Sequence, residues 1–183
     1  MNQIWRELTN IHHGAPDRQN SPGRPQRPRV AVLTCADARI ANSGLRGVAD
    51  DDVFSVRVAG AIATTEAIAS LGFAVLQLQV PLVVVMTHHD CGAIMAAQTT
   101  PDHERQGPLA ALLKAVDEHL VTPSDNEPPA HAVARTAAQR VREGLDVLCG
   151  SAGVATPPVI AATINHDTDQ ITTVDMGLST LDG

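Results

Sequence analysis

Residues 81–87, PLVVVMT, form an apolar run with no polar side chain before Thr87. A strand with one face in water alternates apolar and polar residues, whereas a strand covered on both faces does not. This run therefore reads as a buried strand of a sheet with layers on both sides. It stops abruptly in HHDCG (His88 to Gly92), a group of titratable and sulfur-bearing side chains. A second apolar run, RVAVLT (Arg29 to Thr34), stops in the same way against CADAR (Cys35 to Arg39).

The rest of the chain supplies the other layers. DVFSVRV (Asp52 to Val58) reads as a further strand. Thr64 or Thr65 is placed to cap a helix reaching about Leu78, with Ile68, Leu71, Val75 and Leu78 at helical intervals. CGAIMAAQ begins a helix at Cys91, and LAALLKAVDEHL and AHAVARTAAQRVREGLDVL are two more helical runs. PPVIAATIN and QITTVDM form a closing strand pair across the turn HDTD. Strands alternating with helices predict an α/β fold with a mainly parallel central sheet, about four parallel strands plus an antiparallel edge strand, flanked by helices. Residues 29–183 form one domain. Residues 1–28 form an N-terminal helix, with Ile4, Leu8 and Ile11 on one side, and an extended Pro- and Gly-rich arm.

Composition removes several function classes. With 13 Lys and Arg against 20 Asp and Glu the net charge is -7, and aromatic residues make up 2% of the chain. Nucleic-acid binding needs clustered cations and stacking faces, so it is not expected. No stretch is apolar enough to span a bilayer. The N-terminus lacks the basic start and apolar run of a signal peptide. Three cysteines, Cys35, Cys91 and Cys149, do not make a disulfide framework and suit a reducing compartment. A cytoplasmic protein is expected.

In parallel sheets, sites form beyond the carboxyl ends of the strands. The first and third strands can be neighbours, which would bring Cys35 to His88 and Cys91. One imidazole and two thiolates suit a tetrahedral Zn²⁺, and three protein ligands leave the fourth position open, as in catalytic sites. Asp37 can accept a hydrogen bond from a group on the metal, or can take the fourth position itself and block it. Arg39 pairs with Asp37 through its planar fork and keeps it ionised.

CADAR with HHDCGA, 53 positions apart (88 − 35), resembles the β-class carbonic anhydrases. FSVRVAG, SLGFAVLQLQVPLVVVMTHHDCGAI and VIAATINHDTDQI resemble that family's second strand, helix with third strand, and closing strand pair. The resemblance covers roughly Arg29 to Val174. It implies one Zn²⁺ per chain held by Cys35, His88 and Cys91, with Asp37 and Arg39 as a catalytic dyad. It also implies the reversible hydration of CO2 to bicarbonate and a proton by a metal-bound hydroxide, in a homodimer or multiple of dimers. The alternatives are a hydrolase for carbonyl sulfide or carbon disulfide on the same site, and a non-catalytic zinc-binding protein.

The chain departs from the family at Thr87, where Gly precedes the metal His, at Ala61, and at Gly72–Phe73 in place of Glu-Tyr. A regulatory bicarbonate pocket is not expected, because Val32 stands where the family's Trp would be and the chain has no Tyr. Arg57 reads as an interface or structural contact. His89 is either a solvent-facing neighbour or a proton shuttle, and Asp90 a cap for the helix after it. Cys149 reads as a spare thiol, its alternative being a fourth metal ligand that would close the site. His12, His13, His103, His119, His131 and His166 read as histidines in polar surroundings.

Overall fold

The computed structural model describes residues 25–41, 45, 48, 50–121 and 126–176, with positions 3, 4 and 6. The helix and arm expected over residues 1–28, with His12 and His13, lie almost wholly outside the described residues. Five strands form one sheet: β1 (Val30–Thr34), β2 (Val53–Arg57), β3 (Val83–His88), β4 (Val159–Asn165) and β5 (Gln170–Val174). Their order is β2-β1-β3-β4-β5. The pairs β1–β2, β1–β3 and β3–β4 are parallel, and β4–β5 is the antiparallel edge. This is the expected mainly parallel sheet, with β1 and β3 adjacent.

The apolar run of β3 is fully buried because its two faces enter different cores. Val83 and Val85 join Ala31, Leu33 and Ala161 against helices α1 (Thr65–Leu78) and α4 (Pro129–Ala152). Val84 and Met86 join Val30, Val32 and Ala162 against Ile40, Leu45 and Val48. Period-two alternation is thus present in direction and absent in polarity. Two further helices, α2 (Gly92–Thr99) and α3 (Gly107–Asp117), pack on each other beside the carboxyl ends of the strands. No helix among the described residues is long and apolar enough to cross a membrane.

Helix α1 starts where its capping residue permits: Thr64 is extended and its side chain accepts from the Ala67 N–H at 3.2 Å. It crosses α4 closely. A Cβ built at Gly144 would stand 2.5 Å from Cγ2 of Ile68, a methyl fixed to a branched Cβ. Ala at this position would gain up to about 1 kcal/mol of helix propensity. Overpacking costs about 1–3 kcal/mol, so the clash outweighs the gain. Gly144→Ala is expected to lower unfolding free energy by about 1 kcal/mol in urea titration; a rise in the midpoint would contradict this account of the contact.

His119 corrects the expectation of a polar setting. It is 2% exposed, its Nδ1–H donates to the Ala115 carbonyl at 2.7 Å, and its Nε2 accepts from the Ala63 N–H at 3.2 Å. Both nitrogens are satisfied only by the neutral ring. Burial pushes its pKa below the ordinary value, aided by Arg140 and opposed by the Ala115 bond and Glu118. The unfolded chain therefore takes up this proton more readily than the folded one. The stability linked to His119 is complete above its unfolded pKa of about 6.5 and is lost as pH falls through the folded value. His119→Gln can keep both bonds without titrating. It should flatten the acid-side loss of stability between pH 7.5 and about 5.5 in urea unfolding.

Candidate metal centre

Strand register brings the site together. Thr34, the last residue of β1, pairs with Met86 of β3 and with Arg57 of β2. Its hydroxyl also donates to the Met86 carbonyl at 3.0 Å, which locks the two strands where they end. Cys35 therefore leaves the sheet beside Thr87 and His88. His88 ends β3, fully buried, and the chain turns at His89 and Asp90 to enter α2. Asp90 is not a side-chain cap as expected. The N-cap position is Cys91, and Asp90 takes a left-handed backbone (φ 53°) that makes the turn tight.

The donor atoms of Cys35, His88 and Cys91 lie within 4.8 Å of one another, and all three residues are buried. The two sulfurs are 3.8 Å apart. Two thiolates about 2.3 Å from a tetrahedral Zn²⁺ stand about 3.8 Å apart, so the pair has the spacing such an ion requires. The imidazole is also prepared. Its Nδ1–H donates to the His89 carbonyl at 2.9 Å, which leaves the lone pair on Nε2. That Nε2 is buried without a hydrogen-bond partner among the described groups. A buried, unpartnered nitrogen facing two sulfurs fits a metal ion. Among the described residues this is the one such group of three, and Cys149 is not in it: it packs in the α1–α4 core.

Charge around the sulfurs points the same way. The Cys35 thiol is held well below its ordinary value, first by its contact with Cys91, against the opposing cost of burial, then by His88 and the N–H groups of Asp37 and Gly60. The Gly60 N–H reaches Cys35 Sγ at 3.4 Å, from a backbone with φ 77° that suits glycine. Cys91 is pushed up by its contact with Cys35 and by burial. Burial disfavours the His88 imidazolium, but the attraction of the neighbouring Cys35 sulfur outweighs it and raises the ring. No hydrogen bond of good geometry reaches Nε2, so this attraction acts across a gap that a cation can fill.

Asp37 and Arg39 lie at the mouth of this group. Arg39 Nε and Nη2 donate to the two Asp37 oxygens at 3.0 and 2.8 Å, and the Arg39 N–H adds a third bond at 2.9 Å. These bonds, the guanidinium's first, hold the Asp37 carboxyl well below the usual carboxylate range. Asp37 Oδ2 is 3.7 Å from His88 Nε2. The carboxylate is thus beside the donor set but committed to Arg39.

Two further residues complete the loop. Arg57 donates to the carbonyls of Asp37 (2.8 Å), Ile40 (3.3 Å) and Ala41 (3.3 Å), a structural contact that pins the segment carrying the dyad. His166, in the β4–β5 turn, meets Arg39 Nη1 through Nε2 at 2.9 Å and sets its ring edgewise to His88, 5.9 Å between centroids. Nothing local in the sequence marks it, since it lies 127 positions from its partner. His89 is half-buried with its ring 6.3 Å from that of His131, which meets the Thr163 hydroxyl at 3.3 Å. Thr87 uses its hydroxyl to donate to Ala130 at 2.7 Å, tying β3 to the start of α4.

The carbonic anhydrase family profile matches residues 30–180. A carbonic anhydrase of Mycolicibacterium smegmatis is 36% identical over 108 residues, 59% of this chain and 51% of that protein. A carbon disulfide hydrolase of Acidianus is 36% identical over 72 residues, 39% of this chain and 35% of that protein. The chain thus spans about half, or less, of the length of these relatives. A β-carbonic anhydrase of the fungal pathogen Aspergillus fumigatus has the same fold at 24% identity, with a TM-score of 0.62 over 84% of this chain and 78% of that one. The match runs from the first residue of β1 to beyond the end of β5, and on it the chain belongs to the β-carbonic anhydrase family.

Proposed function

We propose that this protein is a carbonic anhydrase, a zinc lyase that interconverts CO2 with bicarbonate and a proton, and that Cys35, His88 and Cys91 hold one Zn²⁺ per chain. The observation that carries the reading is the buried two-sulfur, one-nitrogen donor set, with its orphaned Nε2, beside a carboxylate clamped by an arginine. When bound, Zn²⁺ supplies the Lewis acidity that brings the pKa of a water down toward about 7. Cys35 and Cys91 neutralise the ion as thiolates, and His88 offers its Nε2 lone pair. Asp37, an anion at neutral pH, is an acceptor only. It can orient a nucleophile by taking its hydrogen bond and cannot donate one. Arg39 keeps that carboxylate ionised and turned. The sulfurs sit among Ile62, Ile94, Ala97, Leu113 and Val116, a water-poor surrounding that suits a small apolar substrate.

A second reading keeps the centre and changes the substrate to carbon disulfide or carbonyl sulfide, on the strength of the Acidianus relative. A linear, apolar molecule of this kind meets the same acceptor and the same apolar wall. The third reading, a zinc-binding protein without turnover, requires an obstructed centre, and the arginine clamp on Asp37 counts against it. Three buried, unpaired cysteines support a reducing, cytoplasmic setting. A homodimer or a multiple of dimers goes with the family reading and is tested by light scattering.

The deciding experiment is stopped-flow CO2 hydration on protein of measured zinc content from pH 6.5 to about 9, the range in which a metal-activated water titrates. Zinc near one per chain with hydration rising with pH is the expected result. Zinc at one per chain, no hydration, and hydrogen sulfide released from carbon disulfide would move the assignment to the second reading. Full zinc with neither activity would leave the third.

A further inference from the structure

The buried His119 and the half-buried His166 are treated very differently in this fold. His119 has a partner on each nitrogen, as a ring serving only the core should. His166 does not. Its side chain is 9% exposed, and its Nδ1 is buried with no partner among the described groups. The one strong contact it makes is Nε2 to Arg39 Nη1, at 2.9 Å. A guanidinium has donors and no acceptor. Arg39 must therefore donate, Nε2 must carry the lone pair, and the ring proton must sit on Nδ1, where no described group receives it. Asp167 Oδ1 also lies near Nε2, but at 3.5 Å, and its side chain is 78% exposed. It is too far for a good hydrogen bond, and its charge acts on Arg39 as well.

We infer that His166 is a positioning residue for the dyad: as a neutral ring accepting from Arg39 Nη1, it fixes the guanidinium plane that orients Asp37. The plane needs fixing. Arg39 lies on an irregular segment after β1, and its side chain is 49% exposed. Its contacts come from three separate places: Asp37 on its own loop, the Asp90 carbonyl in the β3–α2 turn at 3.2 Å, and His166 in the β4–β5 turn. Asp37 and Asp90 engage Nη2 and Nε, and His166 is the contact on Nη1. Without it the fork keeps its Asp37 and Asp90 contacts but its Nη1 end is no longer held by His166, and the plane is freer to tilt. His166 also rests edgewise on His88, so one ring steadies the dyad and borders the metal ligand. The inference rests on the carbonic anhydrase reading only for its kinetic consequence, because the tautomer and the contact are properties of the chain itself.

The test has two arms. Long-range ¹H–¹⁵N correlation on the full-length wild-type protein, loaded with zinc, should show His166 as the Nδ1–H tautomer and a slowly exchanging Arg39 side chain. An Nε2–H tautomer for His166 overturns the inference whatever the activity. In the second arm, His166→Leu should speed exchange of the Arg39 guanidinium and lower kcat/KM for CO2 hydration about ten-fold, with zinc content and melting temperature unchanged. His166→Gln places an amide oxygen near the position of Nε2 and should recover most of both. Equal losses in Leu and Gln variants, or an Arg39 signal unmoved in His166→Leu, would overturn the positioning role. Should the wild type hydrate no CO2, the proposed function falls while the tautomer and exchange measurements still judge His166.

Discussion

Cys91→Ser is expected to strip the chain of most of its metal and, with it, of measurable CO2 hydration. The substitution is local by construction. Cys91 occupies the N-cap of α2 and makes no side-chain cap bond there, while serine is a preferred N-cap residue. Helix α2 should start where it does now. What is lost is a thiolate: a serine hydroxyl does not ionise near neutral pH and is a poor zinc ligand. If the roughly 10–16 kcal/mol that zinc gives a small structural site is shared among four ligands, one ligand is worth about 3 kcal/mol, on the order of 10²-fold in affinity. Zinc per chain after dialysis against a weak chelator should fall from near one to a small fraction. Catalytic loss should follow occupancy. A Cys91→Ser protein that keeps one zinc per chain and full hydration would remove Cys91 from the donor set.

Asp37→Asn should do the opposite: keep the metal and lose the chemistry. The amide matches the carboxylate in size, and the donor atoms of Cys35, His88 and Cys91 are untouched. Two properties go. The negative charge that anchors Arg39 disappears, and one of the two acceptor oxygens becomes a donor. Correctly placed proton acceptors are worth about 10²–10⁴-fold, so a fall in kcat/KM of at least about 10²-fold is expected, with zinc content unchanged. The pH profile is a second check. Arg39 holds Asp37 far below the usual carboxylate range, so the carboxylate stays ionised throughout the neutral region. Any rise in hydration between pH 6.5 and about 9 must then come from another group, and its midpoint should be similar in wild type and variant. Loss of zinc from Asp37→Asn would mean that the carboxylate is a ligand and not the free acceptor described here.

Much of this protein was legible in its sequence because the signals were local. The unbroken apolar run of β3 required cover on both faces, and the two cores that receive Val83 and Val85, and Val84 and Met86, are that cover. Thr64 and Thr65 bracketed the start of α1 because a capping hydroxyl acts within one turn, and the structure makes Thr64 the cap. His88 and Cys91 are close in the chain, so one turn brings them together. Asp37 and Arg39 are two residues apart, so their pairing followed from chain geometry. The stop of an apolar strand in titratable side chains marked the site, since such groups are costly to bury without a partner or an ion.

What the sequence left open depends on contacts between distant segments. The 3.8 Å approach of Cys35 to Cys91 is set by the parallel register of β1 on β3, which no local pattern encodes. His119 and His166 read alike in a string of residues. Tertiary packing gave His119 two partners in the core and His166 one, on Arg39. Asp90 read as a cap by its residue type, but the turn between β3 and α2 needed a left-handed residue there and placed Cys91 at the cap position. The sequence alone determined the layers, the strand ends and the types of donor atom, because short-range periodicity and spacing carry that information. Only the tertiary structure decided which atoms face one another and which are left unsatisfied, because those depend on strand register and on turns that meet across more than a hundred residues.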